Sequence, residues 1–528
     1  MKTDNNLFLN ALLLTDGYKV GHHLQYPKGT TLVYSNFTPR SNKYAPNNTN
    51  FVVSFGQQMT MMIIDEMFKD FFNRPKEEVC GEIKRELSLY LNTDYDVTHF
   101  EELHDLGHLP IHVKILKEGT LVPIKVPVLT IYNTNPKFYW VTNYLETIIS
   151  NLLWKPMTSA TIAHEYRKLL TKWQKETDKD NAWFIDWQGH DFSMRGMDSI
   201  QATISSGLGH LTSFLGTDSL PSIHGARKFY GETGFVAGSV NATEHSVACA
   251  HMNIVDNIID ESSYIEHLLD VYPEGILSMV SDTFNLWDIL TIYLPKYKDR
   301  ILARNGKLVV RPDSGNPVDI VCGVSAKYPQ FKTYQEYKEM AESDGDTAQY
   351  SEQEWKGVIE LLDDVFGSTI NSQGYKVLNP KVGAIYGDSI TLQRADEICK
   401  RLADKGYAST NIVLGVGSFT YQFNTRDSFG FAMKATYVEV NGIGKEIFKD
   451  PITDDGMKKS AKGLMHVYRE SYAHSSSDYL LKDQVSWEEE AKGELQSLYT
   501  DGIFHNLTTL TKVREMLQHT INMIDYGK

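Results

Sequence analysis

From about residue 183 the chain repeats one device: a short apolar run stops abruptly at polar or glycine residues, and a helical stretch usually follows. "AWFIDW" runs into "QGHDFSMRG", "TSFL" into "GTDS", and "ILSMV" into "SD". Further on, "LVV" runs into "RPDSGNP", "GAIY" into "GDS" and "NIVL" into "GVGS". Six strands separated by helices predict parallel βα units. A sheet of this kind that closes on itself gathers all six polar ends on one rim, which is where (β/α) barrels carry their active sites.

The fourth run sharpens the point. "LVVRPDSGNPVDIV" puts Arg311 and Asp313 two residues apart where a strand stops, although burying unpaired charge costs several kcal/mol. Taken alone, the stretch reads equally well as a strand, a Pro/Gly/Asn turn and a helix opened by Pro317. Six charged or glycine-rich ends that can converge favour a ligand.

The remaining sequence supplies a second unit. A helical pattern covers "GQQMTMMIIDEMFKDFF", and strand-like runs lie in "LPIHVKIL" and "VPIKVPVLTIYNT". Two amphipathic helices are predicted next, over "PKFYWVTNYLETIISNLLW" and "SATIAHEYRKLLTKWQKET". After residue 435, "TYVEVNGIGKEIFKDP" suggests strands and "TLTKVREMLQHTINMI" a helix. The expected organisation is an α/β companion domain from residues 1–150 and 436–528 around a (β/α) barrel-like catalytic domain over 151–435. A polar, acidic excursion near 326–353 reads as surface decoration.

With 528 residues, 41% of them hydrophobic, the chain can build such a core. Its 52 Lys and Arg against 67 Asp and Glu give a net charge of −15. That charge argues against nucleic acid and anionic membrane as partners, and it requires any site for an anionic substrate to be locally basic. Cys80, Cys249, Cys322 and Cys399 are scattered, without zinc spacing, as in a reduced compartment. "LFLNALLL" is too short and too interrupted for a signal peptide, and no run reaches transmembrane length. The expected location is the cytoplasm.

On the predicted rim, Asp191, Asp218, Asp282, Asp313 and Asp388 supply carboxylates, while Arg195 and Arg311 supply guanidiniums. Arg forks suit phosphate oxygens, and carboxylates beside phosphate make sense with Mg²⁺ between them. The glycines of the last two ends fit the place where barrels often bind phosphate. Phe192 and Tyr18 could hold a flat ring, although each singly is more often core. His245 with Glu244 beside it is, on spacing alone, more often structural than functional.

"LLTDGYKVGHHLQYP", "HDFSMRG", "GTDS", "ATEHS", "VVRPDSGNP", "GDSITLQ" and "NGIGKEIFKDP" occur in order along nearly the whole chain and resemble the nicotinamide phosphoribosyltransferases. The resemblance implies a type II phosphoribosyltransferase fold in a homodimer whose active sites are shared between the two chains. It implies transfer of phosphoribose from 5-phosphoribosyl 1-pyrophosphate to nicotinamide in NAD salvage, with Mg²⁺ and with ATP hydrolysis coupled through a phosphohistidine. Phe192 and the partner's Tyr18 would sandwich the pyridine, Asp218 would accept from the carboxamide, and Asp16, Ser278 and Arg311 would complete that pocket. Asp313, Gly387 and Asp388 would face the ribose. Gly417, Ser418, Arg426 and Lys434 would hold the 5′-phosphate. Arg40, Arg195 and Lys449 would hold pyrophosphate, with Asp282 as the candidate Mg²⁺ ligand. His245 would carry the phosphoryl group beside Glu244. The chain departs from the family pattern at Met194, Ser418 and Phe419. The rivals are a nicotinate phosphoribosyltransferase, which Asp218 opposes, a silent nucleotide-binding relative, and an unrelated barrel enzyme such as an aldolase.

Overall fold

The computed structural model describes residues 10–255, 258–343, 347–453, 459–469 and 479–522. Two seven-stranded sheets organise them, one parallel and one antiparallel. We number the parallel strands β1 (Gly189–Asp191), β2 (Gly216–Thr217), β3 (Asn241–Ala242), β4 (Glu274–Val280), β5 (Asn305–Arg311), β6 (Val382–Tyr386) and β7 (Ile412–Val416). Their order across the sheet is β2-β1-β7-β6-β5-β4-β3, which is chain order run round a circle with one gap. Segment 238–242 spans that gap. Gly216 of β2 bridges Gly238, and Thr217 N donates to the Gly238 carbonyl at 3.0 Å. A few residues later β3 pairs with Leu277 and Ser278 of β4. The sheet therefore curls until one segment touches both free edges, as the repeated βα pattern predicted.

Two of the six predicted strands sit elsewhere. "AWFIDW" is helical, as Lys179–Phe184 and Ile185–Gln188, and the strand is the "GHD" that follows it. "TSFL" follows a helix end, and the strand is the "GT" beyond. A short apolar run does not distinguish a strand from a buried helical turn, so the polar ends located the rim better than the apolar runs located the staves. β3, at "NA", has no apolar signal.

The two predicted helices before the barrel are one, Glu146–Thr177, running straight through Pro156. An interior proline costs about 3 kcal/mol in an isolated helix. Here packing overrides it: a side chain at Gly56 would lie 2.5 Å from the Pro156 ring, and one at Gly209 would lie 2.9 Å from its carbonyl oxygen. Both glycines let neighbouring backbone close on the proline turn.

The antiparallel sheet joins distant parts of the chain. Its order is 443–446, 432–440, 30–38, 129–133, 111–115, 496–500 and 503–504. Thr30 pairs with Val440, and Ile115 with Gln496. Beneath it Lys114 Nζ meets Glu490 at 2.9 Å, both side chains buried. Glu118 is buried too. It accepts the Gln58 N–H at 2.8 Å, at the start of helix Gln57–Asn73. Between β5 and β6, helices Tyr334–Ser343 and Glu352–Lys356 close over Val324, Tyr337 and Trp355 as a small aromatic core of their own. Among the described residues no helix is long and apolar enough to cross a membrane.

Candidate active site

The C-terminal ends of the parallel strands converge as their sequence implied. β5 delivers Arg311. The turn after it uses Gly315 at φ +89°, and Asn316 caps helix Pro317–Cys322 by accepting from Val318 N at 3.0 Å. A tight turn and a cap thus leave Arg311 and Asp313 in place at the strand end. Arg311 donates to the Thr243 carbonyl at 2.6 Å, while its Nε is buried and bonds to no described residue.

Asp282 follows β4. Its Oδ2 accepts from Asp313 N at 2.8 Å and Ser314 Oγ at 2.6 Å, whereas Oδ1 is buried without a partner among the described residues. Ser278 of β4 likewise has a buried hydroxyl that bonds to no described residue. Burial raises the Asp313 carboxyl, and the charges of Asp282 and Asp388 add to this, against Arg311 and His245. A side chain at Gly387 would come within 2.7 Å of Asp313 Oδ1, so the glycine after β6 makes room for that carboxylate. Asp388, beyond it, is exposed and accepts from Ser389 Oγ.

Phe192 follows β1. Its N–H donates to the Val416 carbonyl at 3.0 Å, and its ring lies across Gly415, where a side chain would come within 2.6 Å. The first glycine of "GVGS" therefore seats an aromatic ring. The second, Gly417, precedes the one-turn helix Ser418–Tyr421 and has open space around it. Ser418 Oγ packs against Gly196 of "SMRG", where a side chain would lie within 2.1 Å, which brings the exposed Arg195 and Met194 to the same corner. Phe419 is exposed and stacks on Phe423 at 5.3 Å.

Asp218, after β2, accepts from His190 Nε2 at 2.8 Å and from Ser239, both through Oδ1. Burial alone would raise its carboxyl. The His190 and Ser239 hydrogen bonds and the Arg311 charge outweigh that and hold it below the usual carboxylate range. Asp191 corrects the sequence reading. It is fully buried below the rim, where it accepts from Ser193 N at 2.9 Å and Thr217 Oγ1, so it braces the strand ends and faces no ligand. His245 opens helix His245–Ala250. Its Nδ1 lies 3.0 Å from Thr283 Oγ1 and its Nε2 3.9 Å from Asp313, while Glu244 accepts from Ser246.

A second group stands on the antiparallel layer. Tyr18 is exposed, its ring beside His22 and Lys19. Asp16 accepts from Thr147 Oγ1 at 2.7 Å. Lys434, in strand 432–440, lies 3.6 Å from Glu146. Burial lowers its ammonium, the Arg40 and Lys449 charges lower it further, and Glu146 opposes them. Arg40 Nε donates to the Gly430 carbonyl at 3.0 Å. Arg426 lies on the segment between Gly417 and that strand, 3.4 Å from Asp427. One chain thus carries carboxylates, Arg195, Arg311 and Phe192 on the barrel rim, and Tyr18, Asp16, Arg40 and Lys434 on the companion layer.

Sequence reasoning passed over His190, Ser239, Thr243 and Thr283. His190 had a signal: it stands two residues before Phe192 in an extended stretch, hence on the same face. The other three had none, because their partners are remote in the chain.

A rim of this kind on a barrel joined to an antiparallel companion sheet matches solved proteins in fold. A nicotinate-nucleotide pyrophosphorylase from Pyrococcus furiosus aligns over 99% of each chain with a TM-score of 0.52 at 15% identity. Human nicotinic acid phosphoribosyltransferase aligns over 97% of this chain and 94% of that one, with a TM-score of 0.52 at 14% identity. The fold is therefore that of the type II phosphoribosyltransferases. The chain belongs to the nicotinate phosphoribosyltransferase family, whose pattern matches residues 187–489, while residues 10–113 match the family described as the nicotinamide phosphoribosyltransferase N-terminal domain. Among curated relatives, the nicotinamide phosphoribosyltransferase of Acinetobacter baylyi is 44% identical over 96% of this chain and 97% of its own length. That of Mycoplasma pneumoniae is 35% identical over 85% and 94%.

Proposed function

We propose that the protein joins nicotinamide to 5-phosphoribosyl 1-pyrophosphate, giving nicotinamide mononucleotide and pyrophosphate in cytoplasmic NAD salvage. The observation that carries this reading is Asp218: an ionised carboxylate at the strand end, with its Oδ2 accepting from no described residue. It accepts from a carboxamide NH₂ and repels a carboxylate, so it favours the amide over the acid. Phe192 forms one face for the pyridine ring, Ser278 and Arg311 offer free donors beside it, and Asp313, Gly387 and Asp388 adjoin the ribose.

Chemically, C1 of the ribose loses pyrophosphate with oxocarbenium character while the pyridine nitrogen attacks the opposite face. That nitrogen carries no proton, so no strong base is needed. The work is positioning and stabilising departing charge. Gly417 and Ser418 N–H groups with Arg195 and Arg426 suit phosphate oxygens on one chain. Arg40, Lys434 and Lys449 with Tyr18 and Asp16 would complete the site of a second copy in a homodimer. Asp282 suits Mg²⁺, because its buried Oδ1 has no partner among the described residues and Mg²⁺ takes one or two carboxylates with substrate phosphates rather than a protein cage. The ion would neutralise pyrophosphate oxygens. With Nδ1 engaged by Thr283, His245 presents Nε2 as the nitrogen to carry a phosphoryl group from ATP, with Glu244 adjoining.

The test is a product assay with Mg²⁺ and phosphoribosyl pyrophosphate, offering nicotinamide and nicotinate separately, with and without ATP, and reading the mononucleotide by mass spectrometry. Product from nicotinamide alone, increased by ATP, is expected. Product from nicotinate would overturn the role given to Asp218, and product insensitive to ATP would overturn that given to His245.

A further inference from the structure

His190 and Ser239 remain unassigned although both bond to the same oxygen of Asp218. Because a carboxylate offers only lone pairs, the ring proton of His190 sits on Nε2. Nδ1 faces β2 so closely that a side chain at Gly216 would come within 2.7 Å of it. The ring cannot swing away, since Phe192 lies over it with ring centres 4.6 Å apart. One buried imidazole thus touches both the aromatic platform and the amide acceptor. Ser239 belongs to segment 238–242, which seams β2 to β4, so its hydroxyl is placed by barrel closure itself. Asp218 N donates to the Asp191 carbonyl at 3.0 Å, which fixes the backbone beneath the carboxylate.

We infer that His190 and Ser239 are positioning residues for base selection: they saturate Oδ1 of Asp218, so that only Oδ2 can meet the substrate's exocyclic group. A carboxylate with both oxygens open can rotate to accept an amide in several poses, or take a proton and accept an acid. With one oxygen doubly engaged it is held in one pose, and the two donors on Oδ1 disfavour its protonation. The discriminator is then the trio, and Asp218 alone is insufficient. The inference rests on the nicotinamide reading above.

The test measures kcat and KM for nicotinamide and for nicotinate in the wild type, His190→Leu, His190→Gln and Ser239→Ala. His190→Leu should raise KM for nicotinamide by roughly tenfold with kcat nearly unchanged, and should lower the nicotinamide-to-nicotinate preference by about 10 to 100-fold, the worth of a hydrogen bond to a charged group. His190→Gln, which keeps a donor at similar reach, should restore most of the preference. Ser239→Ala, at an exposed position that does not threaten folding, should lower it by about threefold to tenfold. A preference unchanged in His190→Leu and Ser239→Ala, or a Gln variant as impaired as Leu, overturns this inference while leaving the nicotinamide reading intact. A wild type without preference for nicotinamide overturns both.

Discussion

The two sheets treat buried charge in opposite ways. Under the antiparallel sheet Lys114 and Glu490 satisfy each other at 2.9 Å. Glu118, buried nearby, has its carboxyl pushed up to about 7 by burial, which favours its neutral form. On the barrel rim Arg311 keeps a buried Nε and Asp282 a buried Oδ1 with no partner among the described residues, and Asp218, held below the usual carboxylate range, keeps one oxygen open. Charge that is paired or neutralised serves the fold. Charge held ready and incomplete waits for a ligand.

Substitutions can break that contrast. Arg311→Ala should lower kcat/KM by roughly a thousandfold, as for loss of a charge-stabilising donor, while Tm moves by no more than about 2 °C. A variant that unfolds with normal turnover per folded molecule would put Arg311 with the structural pairs. Lys114→Met should do the reverse. It strands Glu490 in the core at a cost of about 3 kcal/mol in urea unfolding, with turnover per folded molecule unchanged, and a second change, Glu490→Leu, should restore most of the loss. Glu118 sharpens the comparison by pH. Its folded pKa is raised, so its contribution is full below the ordinary glutamate range and is lost as pH rises through about 7. Stability should therefore fall by roughly 2 kcal/mol between mildly acidic and mildly alkaline pH, and Glu118→Gln should flatten that slope. An unaltered slope would mean that Glu118 is ionised and held by the helix start.

The rim was legible because charge at a strand end is costly enough to mark itself in the sequence. "RPDSGNP" and "GTDS" announce Arg311, Asp313 and Asp218 without any knowledge of the fold. The staves were less legible. β2 and β3 are two residues each, too short for periodicity, and the two helices read on either side of Pro156 are one because glycines at 56 and 209 let neighbouring backbone pack on that turn. Nor could spacing separate Asp191 from the true rim carboxylates. Asp191 differs in being fully buried with both oxygens engaged, by Ser193 N and Thr217 Oγ1, a state that exists only once the barrel has formed. The glycines of "GVGS" read as one phosphate loop, yet Gly415 makes room for Phe192, and only the fold tells the two apart.

Strand pairing also sets a timetable for the growing polypeptide. Gly189 in β1 pairs with Leu414 in β7, and Thr30 with Val440. On the ribosome, each sheet must wait with a raw edge until the far partner has been synthesised. A nascent chain stalled before residue 412 exposes both edges at once, the template for pairing with other chains. The segment of most consequence for solubility during synthesis is therefore 412–440, which within a short interval of translation closes the parallel sheet with β7 and covers strand 30–38 with strand 432–440, leaving only the 111–115 edge to wait for strand 496–500.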